Sequence, residues 1–142
     1  MKSNKGFTLI ELLAVIVILA IIALIATPMI LGVVETARKG AAESSVLGFV
    51  DAVEKQIMIN EVDADKTAIA DDTYSVTEGT AAMTSTTAEN ATAIAIDVKG
   101  EVPGATSMVI SKGEVQTTTF TLGKYTVTYN QSTGKATAST GD

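Results

Sequence analysis

The residue that first invites a chemical question is a carboxylate in apolar surroundings. Glu11 lies in a stretch of 28 residues, 7–34, of which 23 are apolar; the exceptions are Thr8, Glu11 itself, Thr27, Pro28 and Gly32. An ionised carboxylate at the centre of a bilayer costs roughly 2.5–3.5 kcal/mol on insertion scales and less toward an edge, so it needs a partner or a way out. Two readings stand at this point. Glu11 pairs with a cation supplied by another molecule, or it snorkels to the headgroups, being only about 6 Å along a helix axis from Phe7.

Little else in the chain suggests reactivity. There is no His, no Cys and no Trp among 142 residues. That removes thiol nucleophiles, imidazole bases, the usual zinc sites and any disulfide framework. Asp71 and Asp72 are adjacent, but adjacency does not make two carboxylates converge on a substrate. The acids Glu61, Asp63, Asp65, Asp71 and Asp72 invite a calcium reading. An EF-hand loop, however, needs a third oxygen ligand where Thr67 stands and a glycine that is absent. A solvated loop accounts for them better. Asn90-Ala91-Thr92 and Asn130-Gln131-Ser132 are formal glycosylation sequons. A formal net charge of −6 argues against a nucleic-acid partner. No catalytic residue, cofactor or metal ligand is assigned, and the chain is read as a non-enzyme.

The element that positions Glu11 is the apolar stretch itself. As a helix, 28 residues span about 42 Å against a hydrocarbon core of roughly 30 Å. Residues 12–34 are uncharged throughout and show no polar face at helical spacing. The stretch is a membrane span or a helix covered on all sides. It is too long for the 7–15-residue apolar region of a secretory signal. Lys2 and Lys5 precede it without an acid, which places the N-terminus in the cytoplasm. Arg38 and Lys39 on the far side oppose that orientation, with Glu35 and Glu43 flanking them.

The string Lys5-Gly6-Phe7-Thr8-Leu9-Ile10-Glu11, followed by Leu12-Leu13 and the apolar run, resembles the type IV prepilin signature. Residues 1–6 are similar to the short basic class III-type leader of Gram-positive members. The resemblance covers about the first 35 residues. It implies cleavage by a membrane prepilin peptidase between Gly6 and Phe7 and N-methylation of Phe7 by the same enzyme. It also implies a role for Glu11 in aligning an incoming subunit with the terminal amine of its neighbour. Pairing an amine with a carboxylate relieves both in an apolar filament core. Pro28 removes a helical hydrogen bond and crowds the Leu24 carbonyl, and Gly32 adds a soft point. A kink or opened turn is expected there, as the family often shows in filaments.

Beyond Val34 the pattern turns amphipathic. Ala42, Val46, Phe49, Val50, Val53 and Ile57 recur at three- and four-residue intervals, a stripe that should pack on a sheet. One helix is predicted over 7–60, with 7–34 in the membrane or filament core and 35–60 amphipathic. Residues 61–142 are expected to form a globular β domain with a variable loop over 61–92 that holds short strands such as 74–77. A further strand or short helix is expected over 93–98. Runs at 107–111, 114–122, 125–130 and 135–140, separated by turn residues, predict an antiparallel meander. Along the third run, Tyr125, Val127 and Tyr129 share the core face. The fold class is α+β and pilin-like: a long helix whose C-terminal half packs on a small antiparallel sheet.

The function that follows from the resemblance is a structural subunit, a major pilin of a type IV pilus serving adhesion, motility or biofilm. The alternatives are a pseudopilin of a competence or type II-like secretion filament, and a membrane-tethered surface binding domain. The implied partners are further copies of the chain, the prepilin peptidase, the assembly ATPase and platform, minor pilins, and the membrane before assembly. The implied locations are the cytoplasmic membrane for the precursor, with the C-terminal domain outside, and then a surface pilus.

Overall fold

A computed structural model of the chain describes residues 6–141. Its first element is a single helix, α1, Leu9–Val62, with Pro28 inside it. The chain divides into two compact units, one ending at Ala37 and one running from Arg38. In the first unit the helix stands alone. Its large apolar side chains are exposed, Leu12 by 58% and Ile22 by 56%, because no other element of that unit covers them. α1 runs as one helix through Pro28 and Gly32 in the single chain. The Thr27 hydroxyl, one residue before the proline, donates to the Ala23 carbonyl at 2.7 Å.

In the second unit the stripe does what its spacing predicts. Ala42, Val46, Phe49, Val50, Val53 and Ile57 are all buried. They pack with buried residues from both sheets into one apolar cluster. Phe49 meets Phe120 edge-on, with ring centroids 5.9 Å apart at 72°, a favoured aromatic geometry. The helix end is tied down by its own amides. Gln56 Nε2 donates to Asn60 Oδ1 at 2.8 Å, and Asn60 Nδ2 donates to the Thr67 carbonyl at 2.9 Å, which anchors the chain that follows.

Eight strands follow: β1 Thr73–Val76, β2 Ala82–Ser85, β3 Ile94–Ala95, β4 Ala105–Ser111, β5 Glu114–Val115, β6 Thr118–Leu122, β7 Tyr125–Asn130 and β8 Lys135–Thr140. They build two antiparallel sheets, one ordered β3-β2-β1-β4-β5 and one ordered β6-β7-β8. Tyr125, Val127 and Tyr129 face the core as expected, and Thr128 faces out. The 61–92 segment, in which short strands such as 74–77 are expected, holds two paired strands, with Tyr74 opposite Ser85. The 93–98 region contributes the two-residue β3.

The single meander is a misreading. The 114–122 run is two strands in two sheets. β5 pairs with β4, while β6 pairs with β7. The break comes at Gln116 and Thr117. The Gln116 N–H still donates to the Val109 carbonyl at 2.9 Å, and its side-chain amide turns back onto the Ser111 carbonyl at 3.2 Å. Every residue of the run is strand-compatible, so nothing in its periodicity marks the change of sheet. The two-residue hairpin turns are legible. Lys112 at φ 56° and Gly113 at φ 76° turn β4 into β5 with both residues left-handed, and Gly123 at φ 56° turns β6 into β7.

The two sheets are joined at one place by reciprocal bonds between Gly104 and Thr121, each N–H donating to the other's carbonyl at 2.8 Å. A Cβ on Gly104 would lie 3.0 Å from Thr121 Oγ1 and 3.2 Å from the Glu78 nitrogen, so only glycine lets the strands approach. Two carboxylates of α1 fasten it to the sheets. Glu43 Oε1 accepts the Ala138 N–H of β8 at 2.8 Å, and Glu54 Oε1 accepts the Val115 N–H of β5 at 3.1 Å. Each satisfies a donor on an edge strand that would otherwise be free.

Candidate functional site: the N-terminal junction

Gly6, Phe7 and Thr8 precede the helix, and Leu9 is its first residue. That makes Thr8 the N-cap and Glu11 the third helical residue, the positions of a capping box. The bonds confirm it. Thr8 N–H donates to Glu11 Oε2 at 2.9 Å, Thr8 Oγ1 donates to the same oxygen at 2.6 Å, and the Glu11 N–H points back to Thr8 Oγ1 at 3.4 Å. Two otherwise orphaned amide donors at the helix start are satisfied in this way. The charge also sits at the positive end of the helix dipole. Phe7, at the position before the cap, and Leu12, one turn inside, line the same apolar surface, the arrangement of a hydrophobic staple.

The capping role was overlooked at the level of sequence, although its signal is there: a Thr three residues before a Glu at the head of an apolar run. Neither open reading of Glu11 included it. Glu11 is exposed, and among the described residues no cation pairs with its carboxylate. It is held by its own helix. Both bonds it accepts fall on Oε2, and among the described residues Oε1 accepts none. The carboxylate is thus fixed in rotamer while half of its acceptor capacity stays open.

Phe7 is 86% exposed, and Gly6 has open space around it, so the expected cleavage junction is accessible. Lys2, Lys5 and the rest of the expected leader before Gly6 lie outside the described residues. Pro28 and Gly32 belong to the same helix, far along it from the junction.

Several other acids of the sequence serve the fold. Asp71 Oδ2 accepts the Lys112 N–H at 2.8 Å. Asp72 accepts hydrogen bonds from the hydroxyls of Ser85 and Thr87 and from the Thr73 N–H. These donors hold the Asp72 carboxyl below its ordinary pKa, the Ser85 bond contributing most. Asp63 accepts the Asp65 N–H and pairs with Lys66 at 3.6 Å. Within this largely exposed cluster, Asp71 and Asp72 fix the β1–β2 end and Asp63 the loop after α1.

Residues 1–27 match the family model described as the prokaryotic N-terminal methylation motif. The matched segment joins the leader, the Gly6–Phe7 junction, Glu11 and the head of the apolar helix. With that helix, which is long and apolar enough to cross a membrane, it indicates a type IV pilin-like protein, a pilin or a pseudopilin. The comparisons with curated proteins and with solved structures gave no match.

Proposed function

We propose that the chain is the structural subunit of a surface filament, a major pilin of a type IV pilus. The observation that carries the reading is the conjunction of the methylation motif with a helix whose N-terminal apolar side chains no part of its own unit covers. Lys2 and Lys5 hold the precursor with its N-terminus in the cytoplasm and the second unit outside. The prepilin peptidase cuts between Gly6 and Phe7 and methylates the new amine of Phe7. The freed, cationic Phe7 amine of one subunit then meets Glu11 of another. Glu11 Oε1, left open by the capping box, is the acceptor.

Assembly follows from heterologous contacts that do not close, which generate a helical polymer. The apolar helices form its core and the sheets its outer wall, with the ATPase and platform machinery driving addition and minor pilins joining it. Pro28 and Gly32 mark where the helix opens or bends on packing. Pro28 leaves the Leu24 carbonyl without its usual backbone donor, and the Thr27 bond to the Ala23 carbonyl is of a kind that bends helices. Mass spectrometry of the protein from cells tests the reading. N-methylated Phe7 at the terminus is expected, from a chain about 0.6 kDa lighter than the translated one at a typical ~110 Da per residue over a six-residue leader. Recovery of intact Met1 on filaments or in the membrane would sink it.

A further inference from the structure

The β6-β7-β8 sheet has one face on the core and one open. Phe120, Val127 and Tyr129 point inward and are buried, so the alternate residues point out. The register sets these in two ranks across the strands. Thr119 lies opposite Thr128 and Thr128 opposite Thr137; Thr121 lies opposite Thr126 and Thr126 opposite Ser139. Thr126 is half-buried and the other five are exposed. Residues within a rank stand about 5 Å apart, and the ranks about 7 Å apart, from the strand spacing and two residues of rise. Ser139 Oγ donates to the Thr126 carbonyl at 3.2 Å and Thr121 Oγ1 to the Gly104 carbonyl at 3.4 Å. The rank of Thr119, Thr128 and Thr137 has no such bond among the described residues.

Charge decides what can sit on this face. From Glu35 onward the chain holds 15 acids and 8 bases, so two copies repel wherever their acids meet. β6, β7 and β8 contain no acid and one base, Lys135. Lys135 lies at one end of the face, opposite Asn130, and attracts an acidic second copy. A hydroxyl donates and accepts at once, so a threonine face complements a copy of itself without ion pairs. Pairing through the β8 edge is guarded instead: Glu43 takes the Ala138 N–H, and a lysine on an edge strand opposes strand addition.

Size sets the strength of such a contact. Three strands about 5 Å apart and five residues long present roughly 250 Å², against about 800 Å² per partner in a stable interface. Two single chains therefore meet weakly, whereas copies displayed side by side on an array meet strongly.

We propose that the outer face of the β6-β7-β8 sheet is a self-association surface that docks on the same face of a second copy of this chain, with Thr128 at its centre. The contact belongs to the second unit and does not require the pilin reading. On that reading it lies between filaments rather than within one, because a two-fold contact closes on itself and cannot propagate a polymer built on heterologous contacts.

The chain has no cysteine, so one introduced thiol reports its own surroundings. The full chain in detergent, well below millimolar concentration, is treated with a short bismaleimide. Thr106→Cys, exposed on β4 of the other sheet, sets the rate of random collision. Thr128→Cys should give cross-linked dimer about tenfold faster, since thiols held in contact meet at millimolar effective concentration. Adding Thr137→Glu to Thr128→Cys places an unpaired charge in the contact and should cut that rate severalfold. Its thermal midpoint should stay unchanged, because position 137 is exposed, which separates lost contact from lost folding. Equal rates for the two single cysteines, or no effect of Thr137→Glu, overturn the proposal. So does protection of the thiol at position 128 from a monofunctional maleimide by dextran, with cross-linking at the collision rate; that would assign the face to a neutral polysaccharide. In filaments, Thr137→Glu should abolish bundling at about 1 M salt and leave the number of filaments unchanged. Loss of the filaments themselves would place the face inside the polymer and refute the two-fold contact. Absence of filaments from the unaltered chain would count against the pilin reading alone, and the cross-linking rates would still decide this one.

Discussion

On the proposed reading, Glu11 has two tasks that use different oxygens. Oε2 closes the capping box with Thr8, and Oε1 would be left for a cation from outside the chain. Glu11→Gln separates the tasks, because the amide still offers one acceptor to the Thr8 N–H but carries no charge for an amine. It should therefore be cleaved at Gly6–Phe7 at near-normal rate and incorporated into filaments poorly, measured as the ratio of mature chain in the membrane to chain in sheared filaments. Normal filament density in this variant would refute the pairing. Asp72 offers a second residue-scale expectation, this one about acid. Its hydroxyl and amide donors lower its folded pKa, whereas unfolded it titrates near about 3.9. A depressed folded value gives stability that is complete above the unfolded pKa and is lost as pH falls through the folded one. The thermal midpoint of the detergent-solubilised chain should thus drop below about pH 4, and Asp72→Asn should flatten that limb of the curve. An acid limb identical in the two proteins would show that Asp72 is not among its causes.

At the scale of elements, the helix carries the fold because one face of its second half serves both sheets. Phe49 is fully buried against Phe120, and Phe49→Ala should cost about 3–5 kcal/mol, the range for a core aromatic truncation. Gly104→Ala tests the seam between the sheets. Its Cβ would sit 3.0 Å from Thr121 Oγ1 and 3.2 Å from a backbone nitrogen, and the side chain can yield but the backbone cannot. A loss of about 1–3 kcal/mol is expected. Both are read as midpoint shifts in chemical denaturation, and a change within about 0.5 kcal/mol, the range for unremarkable surface positions, would contradict the packing described. These elements differ in how far they could be read in advance. The helix stripe and the inward face of β7 were legible residue by residue, because burial leaves a period of 3.6 or 2 in the sequence. The division of 114–122 between two sheets was not, since it depends on which strand each half meets. The anchoring by Glu43 and Glu54 was hidden for a related reason: a glutamate on a helix reads as solvated until a strand edge is placed beside it. At the junction, Thr8 and Glu11 carried the capping signal openly, and the apolar surroundings drew attention to the charge instead.

The whole molecule separates its forces by place. Between Phe7 and Val34 every large apolar side chain is exposed in the single chain, and Glu11 is the one charge. From Glu35 onward there are 15 acids against 8 bases. In a filament the first region would form the core and the second the surface, so each subunit would present a net negative wall. Helices leaving a bilayer gain little from the hydrophobic effect, because lipid tails are as apolar as their new neighbours; their cohesion is close packing. That packing is insensitive to salt. Repulsion between surface charges is not: its range shrinks from about 10 Å at 0.1 M ionic strength to about 3 Å at 1 M. Salt should accordingly act between filaments and leave each one intact. Purified filaments moved from low salt to about 1 M should associate laterally, seen as bundles in negative-stain images and as faster sedimentation, while the fraction of free subunit stays constant. Acidification toward the carboxylate pKa range, about 4, should do the same by removing charge rather than screening it. Release of free subunits at high salt would place charge pairs, rather than the apolar helices, at the centre of the assembly.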